Sequence, residues 1–166
     1  MGLPGSGKSF FAARLAELLK AEYISSDSVR KALLPGALYT PQEKLMVYLE
    51  MLRLTEGALQ DGRQVVLDAT FYTASVRAMF TEELPDSEKL VFIEVVADEE
   101  LSRQRLKRPR IDSDANFEVY QQIKEEWEPL QTPHLVLRST DSNIDGMLDE
   151  AIEYLEQDVY DERSDR

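Results

Sequence analysis

Residues 2–9 read GLPGSGKS, and these eight residues decide the fold. They satisfy G-x-x-x-x-G-K-[ST], a loop whose backbone amides converge on phosphate groups at the start of a helix. The glycines permit backbone angles and close approaches that other residues forbid. Gly2, Leu3, Pro4, Gly5, Ser6, Gly7, Lys8 and Ser9 are therefore the candidate nucleotide-binding residues. Lys8 would reach the β- and γ-phosphates, and the Ser9 hydroxyl would help hold Mg²⁺. A plain Gly-Ser turn is the alternative, but it leaves the joint register of three glycines, a lysine and a serine unexplained. Behind the loop, Phe11, Leu15, Leu18 and Leu19 recur at helical spacing, so a helix is expected over 9–20.

Only Met1 stands ahead of this loop. Such loops hang from a buried strand in the middle of a sheet, here between the strands ending at Asp68 and at Ala97. Leaving that position unfilled would strand two rows of backbone groups, each costing on the order of 1–3 kcal/mol if buried. A domain of about 5–15 kcal/mol total stability could hardly absorb this. The expectation is a reading frame that starts late at an internal Met, or a truncated chain, with about five to ten mainly apolar, β-branched residues ahead of Met1. Otherwise a strand from elsewhere, or from a second chain, fills the position, which leaves oligomerisation open.

Downstream, strand-like and helical segments alternate. AEYISSD (21–27) reads as a short strand, followed by a small helix near 29–34 that breaks at Pro35-Gly36. Thr40, Pro41 and Glu43 form a capping-box start, and Leu45, Tyr48, Leu49 and Leu52 make the expected apolar stripe. QVVLDAT (64–70) is a continuous apolar strand of the kind buried on both faces. A helix over 75–84 should stop at Pro85. KLVFIEVVA (89–97) is the longest strand candidate, and Asp98 is placed to cap the next helix. Ser113 or Asp114 would cap a helix presenting Phe117, Tyr120, Ile123 and Trp127, read as core packing. HLVLRST (134–140) gives a last strand and 144–155 a last helix, with 158–166 as an acidic, frayed tail. Alternating strands and helices indicate a three-layer α/β domain over 1–157, with a mostly parallel, doubly wound sheet. Ligands in such sheets bind at the carboxyl ends of the strands.

At 166 residues the chain has the length of one domain. It has no cysteine, hence no disulfide or thiolate metal site, and no apolar run long enough to span a bilayer. A cytoplasmic location is the expectation. The formal charge of −13 disfavours a polyanionic partner, whereas a pocket of oriented amides can still take a small anion.

Polar residues collect where the strands end. Asp27 can take a proton from an attacking hydroxyl, or can simply be a helix N-cap; Arg30 lies one turn on and can bind substrate or offset phosphoryl charge. Asp68 follows VVL and suits a role in holding Mg²⁺, directly or through water, with Thr70 beside it as a substrate contact. RQRLKRPR (103–110) is abruptly basic, with five cationic residues in eight. It reads as a solvated face, a nucleic-acid patch or a lid over 102–115. The acidic remainder favours the lid, whose arginines would close on the phosphates. His134 reads as structural.

GLPGSGKS, SSDSVRKAL, VVLDATF and RQRLKR followed by SDA resemble, in order and spacing, the small P-loop kinases of the AAA_33 group. The relatives of that group include the kinase domain of polynucleotide kinase, zeta-toxin-like kinases, and gluconate and shikimate kinases. The resemblance runs from Gly2 to about Pro129. It implies that Lys8 and Ser9 bind ATP and Mg²⁺, that Asp27 is the base, and that Arg30 and Asp68 help place the acceptor. Arg105 and Arg108 match lid arginines. The expected activity is transfer of the ATP γ-phosphoryl group to a hydroxyl of a small molecule, with Lys8, Asp27, Arg30, Asp68 and Arg108 as the catalytic set. The alternatives are a 5′-hydroxyl polynucleotide or nucleoside kinase, and an ATP-binding switch without an acceptor.

Overall fold

The computed structural model describes residues 1–36, 40–84, 89–108 and 115–164, the side chains of 158–164 excepted. Helix α1 (Lys8–Leu19) leads to strand β1 (Glu22–Ser25), which passes directly into α2 (Ser26–Leu33). Helix α3 (Pro41–Gln60), β2 (Val65–Asp68) and α4 (Ala74–Glu83) follow. The remainder is β3 (Ile93–Val96), α5 (Glu99–Leu106), α6 (Phe117–Glu125), β4 (Leu135–Arg138) and α7 (Ile144–Ser164). This is the αβα arrangement of P-loop nucleotide-binding proteins. No helix among the described residues is long and apolar enough to cross a membrane.

Local chemistry accounts for most element boundaries. Thr40 and Glu43 exchange hydrogen bonds in a complete capping box with Pro41 in the first turn. Ser25, Thr73 and Asn116 each accept a backbone N–H at the start of their helices. Asn116 thus begins α6, where Ser113 or Asp114 was expected; those two residues, Pro85 and Arg110 lie outside the described residues. Asp98 occupies the N-cap position of α5 without a capping bond, because its carboxylate is drawn to Arg138 at 2.7 Å. The backbone of the expected tail is helical to Ser164, in keeping with the absence of Gly and Pro after Gly146.

The apolar stripe of α3 is rotated from the expected one. Leu45 and Leu49 are about half exposed, while Val47, Tyr48, Met51, Leu52 and Ala58 face the core. Tyr48, Phe71 and Phe80 form a cluster there, with the last two rings edge-on at 5.2 Å between centroids. A second cluster joins Phe11 and Leu15 of α1 to Val95, Leu137, Met147 and Ala151.

Among the described residues the strands pair in parallel as two separate two-stranded sheets. Glu22–Ser25 align with Val65–Asp68, and Ile93–Val96 with Leu135–Arg138. Among the described residues no strand lies between β2 and β3, and the main chain of Met1 and Gly2 bonds there to Ile93, Val95 and Thr70, leaving a gap beyond. This gap explains two departures from expectation. Val65, Val66 and Leu67 are only half-buried, and β3 is four residues long where a nine-residue strand was expected.

The Met1 ammonium is buried here and donates to Ile93 O at 2.6 Å. Desolvation lowers its pKa from the ordinary 8.0 to about 6, partly opposed by the charge of Asp68.

Candidate active site

The phosphate loop is shaped by glycine at two close approaches. Gly2 has φ 152°, and a Cβ there would meet Val95 O at 2.4 Å. Gly7 has φ 92°, and its Cβ would meet the Ser139 hydroxyl at 2.8 Å. Gly7 is also the N-cap of α1, where no side chain caps the first turn. The leading amides of α1 are thereby left to an external acceptor, which is the electrostatic requirement for phosphate. Lys8 and Ser9 sit in this first turn.

Arg105 fastens the loop from behind. One guanidinium nitrogen lies 3.2 Å from Ser6 O, 3.4 Å from Gly5 O and 3.1 Å from Ser139 Oγ. The other donates to Thr140 O at 2.7 Å and to Asp141 at 3.2 Å. Its side chain is mostly covered, so without any ligand Arg105 already belongs to the loop's scaffold. Arg108, beyond the end of α5, is exposed. Arg105→Ala should cost about 2–3 kcal/mol without nucleotide, through lost charge-assisted hydrogen bonds. Arg108→Ala should leave the melting temperature within about 1 °C, as a solvated residue does. A nucleotide-free melt of both variants separates the two roles.

The register of β1 on β2 sets Ser25 beside Asp68, so that Asp27 and Thr70 both leave the sheet at the same edge. Asp27 lies in the first turn of α2, but the cap itself is Ser25, whose Oγ accepts the Ser28 N–H. The simple capping role for Asp27 is thereby set aside. Arg30 pairs with Asp27 at 3.2 Å, and both side chains remain partly accessible, at 15% and 28%.

Asp68 is only 5% exposed, and its Oδ2 accepts the Tyr23 hydroxyl at 2.7 Å. Burial first, and then the Asp68 charge and hydrogen bond, push the Tyr23 pKa well above the usual phenol range. Tyr23 thus stays a donor and fixes the carboxylate's orientation. Thr70 meets the Tyr48 hydroxyl at 3.3 Å, and Phe71 follows at φ 48°, a left-handed angle that is costly for a bulky residue. Buried Arg77 holds that turn by donating to Phe71 O and Glu128 O, each at 2.8 Å. His134 lies away from this cluster, against Glu94 and Thr132 O.

The parallel register thus sets Asp27, Asp68 and Thr70 at one end of β1 and β2, and the Gly2 N–H bond to Thr70 O brings the start of the loop to that end. Tyr23, Tyr48 and Arg77 were not singled out from the sequence, where they read as ordinary strand and helix residues. Only the parallel register and the turn at Phe71 bring them to the site.

The family described as "AAA domain" (AAA_33) matches residues 1–130, and the chain belongs to that family. An uncharacterised protein of Mycobacterium tuberculosis is 37% identical over 89 residues, which is 46% of this chain and 18% of that protein. The chain thus spans a small part of the length of the curated relatives that it matches first. The solved APS kinase CysC of Mycobacterium tuberculosis, in complex with AMPPNP and APS, superimposes with TM-score 0.75 at 19% identity, covering 94% of each chain. An unliganded sugar kinase from Janibacter sp. gives 0.73 at 16%, covering 94% of this chain and 91% of that one. At these identities the likeness establishes a shared fold.

Proposed function

We propose that the protein is an ATP-dependent kinase that transfers the γ-phosphoryl group to a hydroxyl of a small molecule. The observation that carries this reading is the alignment of Ser25 with Asp68, which sets the Asp27–Arg30 pair beside Asp68 at the same strand ends that hold the phosphate loop. The likeness in fold to an APS kinase and a sugar kinase agrees with it.

In this reading the amides of Gly5 to Ser9 and the Lys8 ammonium hold the β- and γ-phosphates. Asp27 accepts the proton of the acceptor hydroxyl as its oxygen bonds to the γ-phosphorus. The bond from that phosphorus to the β–γ bridging oxygen breaks, and ADP leaves with the electron pair. Arg30 orients the acceptor and offsets charge on the equatorial oxygens. Thr70 contacts the acceptor from the matching end of the neighbouring strand β2. The donor set at Ser9 and Asp68 is made of hard oxygens, one of them on a carboxylate fixed by Tyr23, which suits Mg²⁺. Bound there, Mg²⁺ would neutralise developing phosphate charge. Arg108 would approach the nucleotide from the end of α5. The protein would meet ATP and a small acceptor in the cytoplasm.

The test is acceptor-dependent ADP release by the purified protein with ATP and Mg²⁺, across sugars, polyols, nucleosides, adenylyl sulfate and oligonucleotides. A hydroxyl compound should raise release by at least ~10²-fold over water, as positioning in such a site allows. Slow hydrolysis indifferent to every acceptor would instead mark an ATP-binding switch.

A further inference from the structure

A cavity of about 400 Å³ lies where the phosphate loop, the end of β3 and the helices α5 and α6 meet. Leu3 and Ser6 of the loop line it together with Tyr120 and Trp127. Its size falls in the range of small-molecule pockets. Trp127, expected among the core residues, is half-buried just past the end of α6 and forms part of this wall.

The Trp127 segment is tied to the acceptor side of the site. The next residue, Glu128, donates its N–H to Tyr72 O at 2.9 Å, and Arg77 donates to Glu128 O at 2.8 Å. Tyr72 belongs to the turn that follows Thr70. The cavity is therefore bounded by the loop that addresses phosphate and by a residue anchored to the turn that carries Thr70. Ser6 is 1% exposed, and its hydroxyl has no hydrogen-bond partner among the described residues. A buried hydroxyl is costly until a partner meets it.

We infer that this cavity seats the body of the acceptor, and that the acceptor is an uncharged polyhydroxyl compound, a sugar or a polyol. The inference rests on the kinase reading, in which Asp27 takes the proton of the reacting hydroxyl. The class follows from the wall, whose charged residues are already matched. Lys124 donates to Glu99 and Arg138 to Asp98, each at 2.7 Å, and Glu94 faces the His134 ring at 3.3 Å. An acidic acceptor would meet three carboxylates and one ammonium that Glu99 already holds, a net repulsion. A cationic acceptor gains little from carboxylates that are already neutralised. Hydroxyl groups fit, because a paired carboxylate keeps lone pairs for further donors. The Trp127 ring offers an apolar face to the C–H side of the same molecule.

Trp127 is the chain's only tryptophan, so its fluorescence reports on the cavity directly. The full chain, with Mg²⁺ and ADP, is titrated with glucose, ribose, sorbitol and myo-inositol, and separately with gluconate and adenylyl sulfate. At least one neutral compound should change the emission saturably and bind ~10-fold or more tightly than either acid. Glu99→Gln, at a half-exposed position, removes a carboxylate and releases Lys124, so it should narrow that preference by ~5-fold or more. For the neutral compound that drives ADP release, Trp127→Ala should raise the acceptor KM by ~10-fold or more and keep kcat within ~3-fold, the mark of a lost binding contact. Trp127→Phe keeps a ring and should recover most of that loss. Emission indifferent to every neutral compound, tighter binding of an acid, or an unchanged acceptor KM in Trp127→Ala would each overturn the seat and leave the kinase reading to stand on ADP release. Saturable neutral binding with no acceptor-dependent release would instead end the kinase reading, and with it the role of the bound compound as acceptor.

Discussion

Lys8→Ala should lower acceptor-dependent ADP formation by ~10³-fold or more while moving the melting temperature by no more than about 2 °C. The residue follows the Gly7 cap in the uncapped first turn of α1, where amides and ammonium address the same phosphates. Removing the charge leaves the loop's shape intact, because that shape rests on the glycine angles and on the Arg105 bonds to Gly5 O and Ser6 O. Arginine at this position should not restore activity, since its planar head is not a compact charge on a flexible stem. Full turnover in the alanine variant would end the kinase reading. A large loss of melting temperature would assign Lys8 to the wall of the gap between β2 and β3, which it also lines.

The second large effect is expected at Asp27. Asp27→Asn should reduce turnover by ~10²-fold or more and keep the ATP dissociation constant within a few-fold, the signature of a lost proton acceptor. The substitution leaves the helix start untouched, because Ser25 supplies the cap of α2. It does remove the charge partner of Arg30, a cost of about 1 kcal/mol for a partly exposed pair. Turnover and melting temperature measured on the same preparation separate these contributions. A variant that melts far below the parent, and whose activity per folded molecule is unchanged, would make Asp27 structural.

The shape of the loop and the placing of carboxylates at strand ends are legible from spacing alone. The loop motif fixes its own conformation through three glycines, and carboxylates that follow short apolar runs lie at strand ends by the logic of parallel sheets. The caps at Thr40 and Glu43 were equally readable, since they involve only local bonds. What escaped depends on distant partners. Arg105 resembles its basic neighbours in composition, yet its guanidinium meets carbonyls about a hundred residues away. Tyr23 matters because a register of β1 on β2 brings Asp68 to it. The face that α3 buries keeps Tyr48 and Leu52 of the expected stripe but exchanges Leu45 and Leu49 for Val47 and Met51. Composition could not tell which half of an apolar helix meets Phe71 and Phe80.

The two halves of the sheet each carry a core of their own, one around Tyr48, Phe71 and Phe80 and the other around Val95, Leu137 and Met147. The candidate acceptor residues Asp27, Arg30 and Thr70 lie with the first core, while Arg105 and Ser139, which brace the loop, lie with the second. A substrate held by both sets would tie the two cores together, so its binding would register as a rise in the melting temperature of the whole domain.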